Sequence, residues 1–262
     1  METIQGNQAS WNANAYQAWL NRFGQPEEAA ARIKKDPAKR IGELYKYAGD
    51  VRRKRVINLL GSNGSKAVAL ALLGAEVTIV DFSAANECYA KELAGEAGVR
   101  IQYIVADVLQ LPACELTQSY DIVLMEKGIL HYFQELGPLF DVVSRLLIQG
   151  GRLILQDFHP VSTKLISSRG TTANIRKHKV TGDYFDTSLI EKEVAYTKYL
   201  DRCAVPNAAR KVRLRNWTMG EIVTSIAAEG LYVKSLEELP NLSCDGFDKG
   251  IPKSYIIVAD KL

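Results

Sequence analysis

Histidine and cysteine are scarce in this chain, at three and four residues among 262. Cys88, Cys114, Cys203 and Cys244 are scattered and contain no Cys-x-x-Cys pair. With so few histidines beside them, they exclude a zinc-finger reading and leave free thiols of the kind cytosolic proteins carry. Long apolar runs are also missing: none approaches the roughly 20 residues that span a bilayer. The opening METIQGNQASWNANAYQAWL lacks a charged segment followed by an apolar one, so no secretory signal is expected. A cytoplasmic location is the expectation. Charge of one sign is hardly in excess, with a net +3. The basic residues nevertheless cluster at 52–55 (RRKR), at 176–179 (RKHK) and at Arg210, Lys211, Arg213 and Arg215. At so small a net charge these clusters read first as solvated faces, with RNA or an anionic small molecule as the other reading. Nothing along the chain resembles a nucleic-acid module, and the Gly-x-Gly-x-x-Gly of nicotinamide enzymes is absent.

What is present is enough apolar material, 47% of residues, to bury one large core. Three short helices are expected first. Ser10 caps an aromatic stripe (Trp11, Tyr16, Trp19, Phe23) that Gly24 ends, Pro26 opens the second helix, and Asp36-Pro37 begins a third that ends near Gly49. An alternation of strands and helices then starts at Arg55, with strands over 55–60, 77–80, 101–105, 120–125 and 152–157. Alternation of this kind implies a mainly parallel sheet covered on both faces. It fails between Val161 and Arg215, a polar, aromatic and basic stretch. It resumes with a Thr218–Glu221 capping-box pattern, a helix to Glu229 and two loop-joined strands.

The densest signal is residues 56–83, VINLLGSNGSKAVALALLGAEVTIVDFS. It reads as strand, glycine-containing turn, helix and second strand closed by Asp81. Doubly wound folds hold an adenosine with such a unit: polar groups meet the turn and helix N-terminus, and the acid takes the ribose hydroxyls.

This stretch resembles the first motif of the class I S-adenosylmethionine-dependent methyltransferases, acid-x-Gly-x-Gly-x-Gly followed by GAEV and a ribose acid. In that register Asn58 replaces the first acid, and Leu60, Ser62 and Gly64 take the three glycine positions. Gly61, one place off, supplies the turn's flexibility. The resemblance continues through IQYIVADVLQLP (101–112), YDIVLMEKGILHYFQEL (120–136) and RLLIQGGRLILQD (145–157). It implies a doubly wound, mainly parallel seven-stranded sheet whose last strand is antiparallel. It also implies a helical extension at 1–50, a cofactor-binding core at 51–160, a lid over the substrate at 161–215, and sheet completion at 216–262.

The resemblance further implies S-adenosylmethionine as cofactor. Leu60, Gly61, Ser62, Asn63 and Gly64 would form the turn around it, with Asp81 and Ser83 at the ribose and Phe82 on the adenine face. Asp107 and the Val108 amide would meet the adenine edge, Tyr16 would wall the methyl group, and Glu126 would counter the methionine ammonium or a cationic substrate. Of the histidines, His131 and His159 follow strands four and five, where either could serve as general base or fix a loop; His178 lies in the insert. No [DNS]-P-P-[YF] follows strand four, no Pro-Cys pair exists for attack on cytosine, and no acidic metal triad is visible. A small-molecule acceptor is what remains. An RNA or protein methyltransferase, and a binding module that keeps only the fold, are the alternatives.

Overall fold

Val56, Ile57, Asn58 and Leu59 have no exposed surface, because the strand they form is covered on both faces. That strand, β1 (Arg55–Leu59), is central in a computed structural model describing residues 2–167, 179–200, 211–240 and 250–262. Four helices and a short fifth precede it: α1 (Glu2–Asn12), α2 (Ala15–Phe23), α3 (Pro26–Lys35), α4 (Pro37–Ile41) and α5 (Tyr45–Ala48). The alternating core follows as α6 (Ser65–Leu72), β2 (Glu76–Asp81), α7 (Ala84–Ala97), β3 (Gln102–Val105), β4 (Tyr120–Glu126), α8 (Gly137–Leu146) and β5 (Leu147–Phe158). Two hairpins come next, β6 (Ile166–Ser167) with β7 (Lys179–Val180) and β8 (Leu189–Glu193) with β9 (Lys211–Arg215). The chain closes with α9 (Met219–Ala228), β10 (Leu231–Pro240) and β11 (Pro252–Lys261).

The main sheet has the order β10-β11-β5-β4-β1-β2-β3. Only β11 runs antiparallel, lodged between β10 and β5. The chain reverses its direction of travel across the sheet between β1 and β4, which opens a crevice at the carboxyl ends of these strands. Side-chain alternation along each strand divides the core. Val56, Ile79 and Ile154 face α6, α7 and the N-terminal helices, whereas Ile57, Val80 and Leu155 face α8 and α9.

Most sequence-derived elements are present, with three corrections. Ser10 caps nothing: it lies inside α1, its hydroxyl donates to the Lys211 carbonyl at 2.8 Å, and the helix expected from it to Gly24 is parted by a turn at Ala13-Asn14 into α1 and α2. The helix expected over 37–49 breaks at Gly42, where φ is +69°, into α4, a tight turn and α5. The fifth strand begins at Leu147, ahead of Gly150-Gly151, and the glycines form an irregularity within it. The Thr218–Glu221 capping box is present with both reciprocal bonds. Arg176 to His178, Cys203, Arg210 and Cys244 lie outside the described residues.

Candidate functional site

The turn after β1 is built on strained residues. Leu60 and Ser62 sit at φ +50° and +49°, and Gly64 at +71°. These are the three positions where the resemblance places glycine, so the left-handed turn survives although two of its glycines do not. Gly61 has no positive φ and is not the source of flexibility. It is needed for space, since a Cβ there would lie 2.7 Å from Asn58 Oδ1 and 2.8 Å from Ile79 Cγ2. Asn63 Oδ1 accepts from the Ser65 amide at 3.2 Å, and Tyr103 Oη donates to the Ser62 carbonyl at 3.0 Å; both brace the turn.

Asp81, at the end of β2, is almost wholly buried. Its Oδ2 accepts from the Ser62 amide at 3.1 Å, and its Oδ1 from the Ser83 amide at 2.9 Å and Asn86 Nδ2 at 3.2 Å. Burial pushes its pKa up to about 6 despite these bonds. Ser83 itself caps α7, accepting from the Asn86 amide. Asn86 is in turn held by Trp19 Nε1, 2.8 Å from Asn86 Oδ1, so the N-terminal helices reach the acid through one intermediary.

Leu60, Asp81, Phe82, Asp107 and Val108 line one cavity of about 290 Å³ at the crevice, together with Asn7 of α1, Tyr132, Phe133 and Pro138. Asp107 Oδ1 accepts from the Leu109 amide at 3.0 Å, while its Oδ2 is buried with no partner. A buried carboxylate oxygen without a donor is costly unless a ligand supplies one. Gln8 Nε2 donates to the Phe82 carbonyl at 2.9 Å, and Trp11 Nε1 donates to Tyr132 Oη at 3.0 Å, fixing α1 over the cavity mouth.

Gly61, Ser62, Asn63, Gly64 and Ser83 belong to the turns beside the cavity without lining it, and four other expected site residues are not among its lining either. Tyr16 is turned onto α7: its hydroxyl donates to Glu92 Oε2 at 2.6 Å, a bond that raises its pKa to about 12. Glu126 is paired with Lys66 at 2.5 Å, one residue into α6. Neither nitrogen of His159 is free: Nδ1 accepts from the Val161 amide at 3.1 Å, so Nε2 carries the proton toward Glu238 Oε1 at 2.6 Å. His131 stacks on Tyr132 with centroids 4.7 Å apart but does not line the cavity, and burial lowers its pKa. Sequence reasoning missed Asp157, whose carboxylate accepts from the Gly128, Ile129 and Leu130 amides at 2.6, 3.2 and 3.0 Å. It thereby shapes the turn that presents Tyr132. Only its position at the end of strand five hinted at this.

The sheet order and the left-handed turn define a fold of the class I methyltransferase type, and the two acids share one cavity at its crevice. Residues 60–155 match the methyltransferase domain family. A demethylmenaquinone methyltransferase of Thermus thermophilus is 31% identical over 112 residues, which are 41% of this chain and 48% of that protein. The match thus spans about half of the relative's length. A putative S-adenosylmethionine-dependent methyltransferase of Listeria monocytogenes superposes with a TM-score of 0.66 at 21% identity, covering 86% of this chain and 99% of its own. The magnesium protoporphyrin IX methyltransferase of Synechocystis PCC 6803, solved with S-adenosylmethionine bound, gives 0.60 at 15% identity, covering 100% and 98%. Among the described residues no group of His, Cys, Asp or Glu is placed to hold a metal, and no helix is long and apolar enough to cross a membrane.

Proposed function

We propose that this protein transfers a methyl group from S-adenosylmethionine to a small-molecule acceptor. The observation that carries the reading is the unpartnered, buried Asp107 Oδ2 in the same cavity as Asp81. An adenosine presents donors to both: an exocyclic amine for Asp107 and a ribose diol for Asp81. Phe82 and Val108 supply apolar contact to the base.

Bound there, the cofactor supplies an electrophilic methyl group on a positively charged sulfur. The protein's own part is placement. Tyr132, held by the hydrogen bond from Trp11, gives the cavity an aromatic wall, and aromatic faces favour a neighbouring cation. With His159 bonded at both nitrogens and His131 outside the cavity, neither is placed to remove a proton, so proximity and alignment carry the acceleration. The segment 161–215 acts as the substrate lid. Its β9 edge is tied to α1 by a reciprocal Asn7–Arg213 backbone clasp at 3.2 and 3.0 Å. The demethylmenaquinone and protoporphyrin enzymes named above act on small organic molecules, which supports a small acceptor here.

Calorimetry with S-adenosylmethionine, S-adenosylhomocysteine and NAD tests the reading. Micromolar binding of the first two alone is expected, and absence of binding by both sulfur compounds overturns it.

A further inference from the structure

A second cavity, of about 520 Å³, shares no lining residue with the first and lies between α3, α4, α7 and the start of α6. Its apolar wall is Phe23, Ala29, Ile33 and Leu93, with Tyr89 beside them. Its charged lining is one-sided: Arg32, Lys35, Lys39 and Arg40 against Asp36 alone. Asp36 Oδ1 is already engaged, accepting from the Lys39 amide at 2.9 Å. None of the four cations forms an ion pair among the described residues, although eleven such pairs occur elsewhere.

Arg40 is the built part of this lining. Its Nη2 donates to Ser65 Oγ, and its guanidinium carbon lies 5.3 Å from the Phe23 ring centroid. Its Nε is buried with no partner. Burial lowers the Arg40 pKa, and the neighbouring Arg22 and Arg32 charges push the same way; Glu126, the carboxylate that offsets them, is committed to Lys66. Arg32 also donates to the Phe23 carbonyl, so the site offers an apolar wall, cations outside any ion pair and one orphaned buried N–H, a set that suits an anion with an apolar body.

We propose that this cavity is a second ligand site, distinct from the cofactor crevice, that takes a small phosphorylated compound. The phosphate meets Arg40, Lys39 and Arg32, and an apolar body lies on Phe23, Ile33 and Leu93. Phosphate is favoured over carboxylate because it carries up to two charges and three acceptor oxygens, enough for a guanidinium fork and an ammonium together. The apolar wall beside the cations favours a small compound with an apolar body over a nucleic acid, which needs a basic stripe along the surface.

The test is an NMR titration of the full chain at constant ionic strength, following backbone amides and arginine Nε–H signals. The probes are phenyl phosphate, inorganic phosphate and benzoate. The Arg40 Nε–H signal is expected to shift, with phenyl phosphate binding several-fold tighter than either fragment. Lys39→Gln and Arg40→Gln should each weaken phenyl phosphate about tenfold, the loss of one charge-assisted bond. Lys39 is exposed, so its variant keeps the test valid if Arg40→Gln fails to fold. Lys39→Gln should leave S-adenosylhomocysteine affinity within twofold, which separates this site from the crevice. Shifts spread evenly over all basic side chains, or unchanged affinity in Lys39→Gln, overturn the proposal.

Discussion

Asp81 combines a place on the cavity wall with a carboxylate buried among three donors, and its protonation sets how it behaves. A folded pKa of about 6, above the ordinary 3.8, means that the native state holds this proton more tightly than the unfolded chain. The associated stability is therefore full below about pH 4 and is lost as pH rises through 6. The loss amounts to about 3 kcal/mol, at 1.36 kcal/mol per pKa unit. The ribose diol wants the ionised form, so cofactor affinity should move the other way and fall about tenfold between pH 7.5 and pH 5. Calorimetry across that range checks it, and Asp81→Ala should weaken binding by about 2–3 kcal/mol at pH 7.5. Leu60 is the second residue-scale case. Leu60→Gly relieves about 1–2 kcal/mol of left-handed strain and adds about 0.5–1 kcal/mol of backbone entropy cost. Stability should thus rise by between zero and about 1.5 kcal/mol, while a smaller residue at the cavity wall tightens cofactor binding several-fold; melting curves and calorimetry read the two effects separately.

Elements here are positioned by a few buried polar groups. The turn between β4 and α8 depends on Asp157, and Asp157→Ala leaves three backbone donors without their acceptor. A loss of about 2–4 kcal/mol is expected in denaturant unfolding, with displacement of Tyr132 and weaker cofactor binding. The approach of α6 to α7 depends on Gly64, where a Cβ would sit 2.7 Å from Ala90 Cβ. Gly64→Ala should cost about 1–3 kcal/mol in the same assay, because the left-handed φ and the clash act together. Periodicity and caps revealed most elements, since apolar spacing and residues such as Thr218 and Gly74 act locally. The break at Gly42 and the early start of β5 were less legible. The first reflects how α4 packs on α6, the second a pairing of Leu147 with Tyr120 across the sheet.

At the scale of the molecule, the N-terminal helices and the insert meet over the crevice. Ser10 and Asn7 bond to β9, and Trp11 packs on Tyr196, their centroids 5.4 Å apart. Replacing 161–215 by a short linker should leave S-adenosylhomocysteine binding within about tenfold but abolish turnover of the acceptor, because the cofactor crevice is lined by α1 and the core. Retained turnover would refute the lid assignment.

By itself the sequence determined the alternating architecture, the register from Asn58 to Asp81 and the pairing of Asp81 with Asp107. The architecture rests on local spacing, whereas the register and the pairing of the two acids rest on the family resemblance. Tertiary structure alone decided which polar groups are spent. Tyr16 went to Glu92, Glu126 to Lys66 and His159 to Glu238, while Asp107 Oδ2 and Arg40 Nε were left without partners. A carboxylate or imidazole binds whichever donor or acceptor the packed core brings within about 3 Å, and that neighbour is often a hundred residues away in the chain.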